Sequence, residues 1–260
     1  MDPVTLSGFE IPVIQETALS KSMVFTDLDI QSRMSLVRPD ELQFEYTRLM
    51  MAALLFNPQP QRILMVGLGG GSLVKFCYKH MACEHITVVE INPHVIALRQ
   101  AFCVPNDDER LTVVQRDAAD FVADTSQAFD LIFMDGFDRQ GLPEQLCSAK
   151  FYSDCRALLT PEGLIVANLP RFSAYLQVYI DRIESVFEAS PVVVHAPGTT
   201  NCVVFATKNP ELLKSLSFSK NRPEYLSEEA WRQVLPSMAR VYLAVQKMRD
   251  AANSPTANHL

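Results

Sequence analysis

Between Arg62 and Thr207 short apolar runs alternate with stretches of helical period. The apolar runs predict strands at Arg62–Val66, Ile86–Glu90, Leu111–Gln115, Phe129–Met134 and Leu164–Asn168. The stretches between them predict helices near Leu73–Met81, Pro93–Phe102, Ala118–Ala123, Lys150–Leu159 and Ala174–Glu188. Pro93 suits a first helical turn, where its missing N–H costs nothing. Regular alternation of strand and helix implies an α/β fold built on a parallel sheet with right-handed crossovers. Two further strand-like runs, Pro191–His195 and Cys202–Thr207, flank a Pro-Gly-Thr-Thr-Asn turn. They predict a hairpin, so the sheet ends in an antiparallel strand.

The flanks have a different pattern. Short β-like pieces between Ile11 and Leu36, such as SMVFTDL and IQSRMSL, predict a small N-terminal β-element. Pro39-Asp40 opens a helix carrying Leu42, Phe44, Tyr46, Leu49, Met50 and Ala53, closed by Asn57-Pro58 and Pro60. A long helix is expected from Glu228 to Met248, and the tail AANSPTANHL has a disordered composition. The chain therefore divides into 1–56, a β-element with its linking helix, 57–210, the α/β domain, and 211–260, a helical extension.

The first predicted strand ends in a turn carrying Gly67, Gly69, Gly70 and Gly71, and the second ends on Glu90. Glycines at a strand-to-helix turn let backbone approach a ligand where side chains would block it. An acid at the tip of the next strand accepts both ribose hydroxyls. Together they describe a nucleoside-binding crevice at the carboxyl ends of parallel strands. Gly67-x-Gly69 fits the start of a dinucleotide fingerprint, but Ser72 stands where its third glycine belongs.

Three more acids follow strand tips. Asp117 is placed to accept from an adenine amino group or to cap the helix starting at Ala118, and the two roles are compatible. Asp135 and Asp138 follow the fourth strand in LIFMDGFD, beside the crevice of an open α/β sheet. A carboxylate pair there holds and deprotonates an ammonium; the alternative is one loop cap and one solvated acid. Asn168 is a weaker candidate at the next strand tip; Tyr46 and Phe44 are within reach of the ligand, but core packing is the favoured reading.

Composition narrows the partners. The chain has 260 residues, 48% of them hydrophobic and 20% charged, which suits one large folded domain rather than disorder. A net charge of −7 without a dense Lys/Arg run speaks against nucleic acid. The apolar patch at 50–56 is too short to span a bilayer, and MDPVTLSGFE has no signal-peptide pattern. The six cysteines form no CxxC pair and read as reduced, as in a cytoplasmic protein. With His80, His85, His94, His195 and His259 they give no metal-ligand spacing, so no metal is expected.

The ordered motifs from about Ile30 to Lys208 resemble the spermidine synthase family, the polyamine aminopropyltransferases. They are IQSRM, DELQFEY, VGLGGGSL, VVEINPHVI, RDAADF, FDLIFMDGFD, FYSDCRALLTPEGLIVANL and the terminal hairpin. The resemblance implies the class I S-adenosylmethionine-dependent methyltransferase fold: a Rossmann-like, seven-stranded, mostly parallel sheet with an antiparallel last strand, preceded by a small β-domain. It implies that Gly67, Gly69 and Gly71 form the cofactor loop. By the same likeness Glu90 holds the ribose, Asp117 the adenine, and Gln31 touches the nucleoside. Asp135 matches the acid that activates the attacking amine, and Asp138 a neighbouring acid that binds it.

The departures from that pattern are equally specific. The family's loop aspartate, which holds the aminopropyl ammonium, is Gly70 here. Its Tyr-Gln or Tyr-His pair is set opposite Phe44-Glu45, its hairpin tyrosine near Ala196, and its proline after the second acid at Arg139. Losing a buried partner for an ammonium costs several kcal/mol, on the order given for buried ion pairs. The expected activity is therefore transfer of an aminopropyl group from decarboxylated S-adenosylmethionine to an amine other than standard putrescine. The alternatives are methyl transfer from S-adenosylmethionine, which the missing loop acid favours, and a non-catalytic nucleoside-binding member of the fold. A nicotinamide oxidoreductase fits less well, because the third glycine and a hydride-transfer constellation are both lacking. Partners are a small-molecule amine and, by the family's habit, a second copy in a homodimer.

Overall fold

The alternation seen in the sequence becomes one seven-stranded sheet in the order β6-β5-β4-β7-β8-β10-β9. Its strands are β4 (Arg62–Val66), β5 (His85–Glu90), β6 (Leu111–Gln115), β7 (Phe129–Met134), β8 (Leu159–Pro170), β9 (Val192–His195) and β10 (Asn201–Thr207). This computed structural model describes residues 8–26, 29–138 and 141–253. β4 through β8 pair in parallel, and β10 inserts antiparallel between β8 and β9. The order in which strands are added reverses between the parallel neighbours β4 and β7. Side by side in the sheet, these two strands send their connections opposite ways and leave a crevice at their carboxyl ends.

Central strands such as Ile63–Val66 and Leu131–Met134 are buried because helices cover both faces of the sheet. One face carries α2 (Ser72–His80), the 3₁₀ segment Met51–Leu55 and α8 (Glu228–Asn253), packed around Phe76, Met65, Phe133 and Trp231. The other carries α4 (Ala118–Asp124), α5 (Ala149–Leu158) and α6 (Leu176–Phe187), around Phe129, Ile132, Tyr152 and Phe187. α8 buries Trp231, Val234, Met238, Val241 and Val245, a stripe at helical spacing, so it covers the sheet face.

Before the large sheet, β1 (Val13–Glu16), β2 (Ser20–Thr26) and β3 (Asp29–Ser35) form the expected small antiparallel sheet. The linking helix is shorter than its periodicity suggested. Asp40 does not open it, because its carboxylate accepts from Lys79 at 2.9 Å and lies 3.0 Å from His80. Residues 39–40 form a turn, 41–44 are irregular, and α1 spans Glu45–Met50. The helix expected at Pro93–Phe102 is also cut short: α3 covers Pro93–Ala97. Beyond it the backbone tightens into i→i−3 bonds and reaches Cys103 at φ 56°. Lys75 Nζ takes the Phe102 carbonyl at 2.8 Å in place of a further helical N–H.

At the C-terminus α8 continues to Asn253, so the first three residues expected to be a loose tail are helical. The rest of that tail lies outside the described residues. A short α7 (Glu211–Ser215) precedes α8. All six cysteines are unpaired, and all but Cys103 are buried. Among the described residues no helix is long and apolar enough to cross a membrane.

Candidate active site at the carboxyl edge of the sheet

A cavity of about 660 Å³ opens at the carboxyl ends of β4 to β8, beneath β3 and the segment 8–10. It is lined by Gln31, Gly67, Gly69, Glu90, Asp117, Asp135 and Asp138, which the fold gathers from five separate stretches of chain.

The glycine turn is shaped by two contacts. Gly67 has φ 90°, and a Cβ there would lie 2.5 Å from the Asp135 carbonyl oxygen. The tips of β4 and β7 therefore touch backbone to backbone. Gly71, at φ 66°, is the residue before α2, and a Cβ on it would meet Val104 at 2.4 Å. Unlike Gly67 and Gly69, it is not part of the cavity wall. Its glycine is required by the helix start rather than by ligand approach.

Glu90 sits 91% buried at the tip of β5. Its Oε2 accepts from Leu68 N at 2.9 Å and its Oε1 from Asn92 N at 2.8 Å. Burial raises its pKa, and backbone N–H groups of Asn92, Leu68, Gly69 and Ile91 oppose that rise. The carboxylate thus clamps the glycine loop to β5 while facing the cavity. Asn92 is held in turn: its Oδ1 caps α3 and its Nδ2 donates to the Glu10 carbonyl at 2.8 Å.

Asp117 does cap its helix, accepting from Ala119 N at 2.7 Å. Its second oxygen is 3.4 Å from Gln145 Nε2, at the cavity edge. Both roles weighed for it in the sequence remain geometrically open.

At the tip of β7, Asp135 heads a chain of polar side chains. Its Oδ1 accepts from Asn168 Nδ2 at 2.8 Å, and Asn168 Oδ1 accepts from Asn201 Nδ2 at 3.0 Å. Tyr46 also hydrogen-bonds to Asp135. Burial pushes the Asp135 carboxyl up to about 6, against the lowering effect of the Asn168 and Tyr46 bonds. Burial and then the Asp135 charge hold the Tyr46 hydroxyl well above 10, so it stays a donor. With a pKa of about 6 Asp135 is mostly ionised at pH 7 yet more basic than an ordinary carboxylate, which suits it to take a proton from an amine. Asp138 differs: it is exposed at the rim, and its main chain closes on Gly141 through bonds of 2.9 and 3.2 Å.

The structure corrects the placement of the linking segment. Tyr46 and Thr47 line the cavity, whereas Glu45 pairs with Arg48 at 2.6 Å and lines a separate cleft against α8. The helical spacing of Tyr46 with Leu42, Leu49 and Met50 favours core packing over ligand contact, and periodicity alone does not tell core from cavity. Asn201 was missed altogether, since it follows a turn and nothing local marks it. The Gly70 departure is also structural. A Cβ at Gly70 would fall 2.5 Å from Ser32 Oγ and 2.9 Å from the Phe102 ring, so neighbouring side chains fill the space.

Among the described residues the one grouping of metal-ligand side chains, Asp40, His80 and Glu229, lies away from this cavity. The Lys79 ammonium sits 2.9 Å from Asp40 and 3.2 Å from Glu229 and neutralises them.

Comparison with known proteins agrees with this geometry. The family model described as the spermine/spermidine synthase domain matches residues 43–214. The chain is similar to a polyamine aminopropyltransferase of Neisseria meningitidis, 33% identical over 223 residues, covering 85% of each chain. Among solved structures it is similar to a probable spermidine synthase from Corynebacterium glutamicum, with TM-score 0.69 at 19% identity over 96% of this chain and 95% of that one. It is also similar to a spermidine synthase in complex with the transition state analogue AdoDATO, with TM-score 0.57 at 19% identity over 87% of each chain. The match spans most of the α/β sheet and the linking segment that bears Tyr46, and the chain belongs to the spermine/spermidine synthase family, a family of transferases.

Proposed function

We propose that this protein transfers an alkyl group from an S-adenosyl sulfonium donor to an amine, with Asp135 as the base. The observation that carries it is the backbone contact between Gly67 and Asp135, which fixes an acid made more basic by burial beside the nucleoside loop. Glu90 would accept the ribose hydroxyls, Asp117 the adenine amino group, and Gln31 would touch the nucleoside from β3. Gly67 and Gly69 would let the donor approach the loop. The amine nitrogen forms the new N–C bond as the C–S bond breaks and sulfur takes the bonding pair. The amine proton passes to Asp135, with Tyr46 and Asn168 holding the carboxylate. Asp138 would draw the ammonium in from the rim.

Family membership supports aminopropyl transfer from decarboxylated S-adenosylmethionine, and the AdoDATO complex of a similar fold is in keeping with it. The acceptor on this reading is not standard putrescine. A second reading, methyl transfer from S-adenosylmethionine, is favoured by Gly70: with no side chain there, no carboxylate holds an aminopropyl ammonium or repels a methionine carboxylate. The division at 1–56, 57–210 and 211–260 belongs to the proposal, the first part supplying Gln31 and Tyr46 and the second the strand tips. A cytoplasmic location is supported by the unpaired cysteines. A homodimer is supported by the exposed Ile11, Val13 and Leu19 beside the small sheet.

Calorimetric titration with each sulfonium separately tests the donor. Preference for the decarboxylated form supports aminopropyl transfer, and preference for S-adenosylmethionine supports methyl transfer. Binding of neither refutes the proposal. Asp135→Asn is expected to abolish transfer while leaving nucleoside affinity nearly intact.

A further inference from the structure

β10 runs antiparallel to β8, so its first residue, not its last, lies at the carboxyl edge with the cavity. That residue is Asn201. It stands opposite Pro170, two positions before Val203, which pairs with Asn168. Positions two apart share a face of a sheet, so Asn201 and Asn168 are diagonal neighbours. On the other side of β8, Met134 pairs with Ala167, and Asp135 follows in step with Asn168. Three side chains from separate strand ends are thereby set in a row.

The row has a direction. Asn201 Nδ2 donates to Asn168 Oδ1 at 3.0 Å, and Asn168 Nδ2 donates to Asp135 Oδ1 at 2.8 Å. An amide turned end for end keeps almost the same shape but exchanges donor and acceptor. Asn168 is only 2% exposed, so its protein neighbours set its orientation. Turned, it would accept the proton of a neutral Asp135 instead of stabilising the ionised form. Asn201 opposes that turn, because its N–H would then meet the Asn168 NH2 and both donors would lose their acceptors. The Asn201 backbone is itself held at the mouth of the hairpin, donating to Thr199 Oγ1 at 3.2 Å and accepting from Ala196 N at 3.1 Å. The other titratable groups around the cavity are Tyr46 from α1, Glu90 from β5, Arg116 and Asp117 after β6, Asp138 after β7 and Glu10 from the covering segment. Of these, Tyr46 bonds to Asp135, and it does so without passing through Asn168.

We propose that Asn201 is a positioning residue for the transfer step, acting on Asp135 through Asn168 by keeping that amide turned donor-first towards the carboxylate. The role in transfer rests on the reading of Asp135 as the base; the orientation of the amide row does not.

The test reads the Asp135 carboxyl directly, by carbon NMR titration of the full chain labelled at its aspartate carboxyls, with Asp135→Asn identifying the signal. Asn201→Ala is expected to raise the Asp135 pKa by about 0.5–1, the worth of one neutral hydrogen bond. The same change made in the Asn168→Leu protein is expected to move it no further. Asn201→Asp only accepts, draws the Asn168 Nδ2 to itself, and is expected to raise the pKa more than alanine does. An Asp135 signal unmoved by Asn201→Ala overturns the inference. So does an equal rise in both backgrounds, which a loosened hairpin or a direct effect on Asp135 would give, and so does a smaller rise with aspartate than with alanine. Turnover that survives Asp135→Asn overturns the transfer reading instead, and the titration still decides whether Asn201 orients Asn168.

Discussion

Replacing Asn168 by leucine removes the donor that stabilises the Asp135 carboxylate while keeping roughly the same volume. The lost bond is 2.8 Å long and its acceptor is ionised above a pKa of about 6. Hydrogen bonds to charged groups contribute about 1.5–3 kcal/mol, and one pKa unit corresponds to about 1.4 kcal/mol. The Asp135 pKa is therefore expected to rise by about one to two units, from about 6 to about 7–8. With Asp135 as the proposed base, which acts in its ionised form, the acid limb of the pH–rate profile should move up by the same amount. At pH 7 the variant is slow, and raising the pH to about 9 restores much of the rate. Carboxyl-carbon NMR titration of aspartate-labelled protein reads the same shift without any substrate. An acid limb and a carboxyl titration both unmoved would refute the assignment of Asn168 as the group holding Asp135.

Three further outcomes are expected. Glu90→Gln leaves one oxygen to accept where two now bind Leu68 and Asn92, so methylthioadenosine affinity should fall by about 1–3 kcal/mol; unchanged affinity by calorimetry removes Glu90 from the ribose role. Asp135→Asn should stabilise the protein at pH 8. The folded pKa of about 6 lies above the unfolded value of 3.8, so the native state holds the extra proton between those values. Stability of the unaltered protein thus falls as pH rises through that window, by up to about 3 kcal/mol. The advantage of the variant should appear above pH 6 and vanish below about pH 4 in thermal melts. Gly67→Ala, which forces a Cβ to within 2.5 Å of the Asp135 carbonyl, should cost at least about 2 kcal/mol in denaturant unfolding.

What the sequence determined by itself was everything carried by local pattern. Apolar runs named the five parallel strands, because a strand covered on both faces must be apolar along its length. The hairpin declared the antiparallel end, and the glycine turn followed by Glu90 placed the crevice. Glu90, Asp117 and Asp135 stand out because a strand tip is readable from where its apolar run stops.

Tertiary structure decided what depends on neighbours distant in the chain. Asp40 was lost as a helix start to Lys79 and His80, and the third helix ended early against Lys75. Tyr46 looked like core because an aromatic beside a cavity has the same periodicity as one inside a core. Asn201 joined the chain of polar side chains at Asp135 through Asn168, 33 residues earlier, and no local rule joins two such positions. That Ser32 and Phe102 crowd the space a side chain at Gly70 would enter is likewise visible only in the fold. Periodicity reports which face of an element is buried; it does not report what that face meets, and the chemistry of this cavity lies in those meetings.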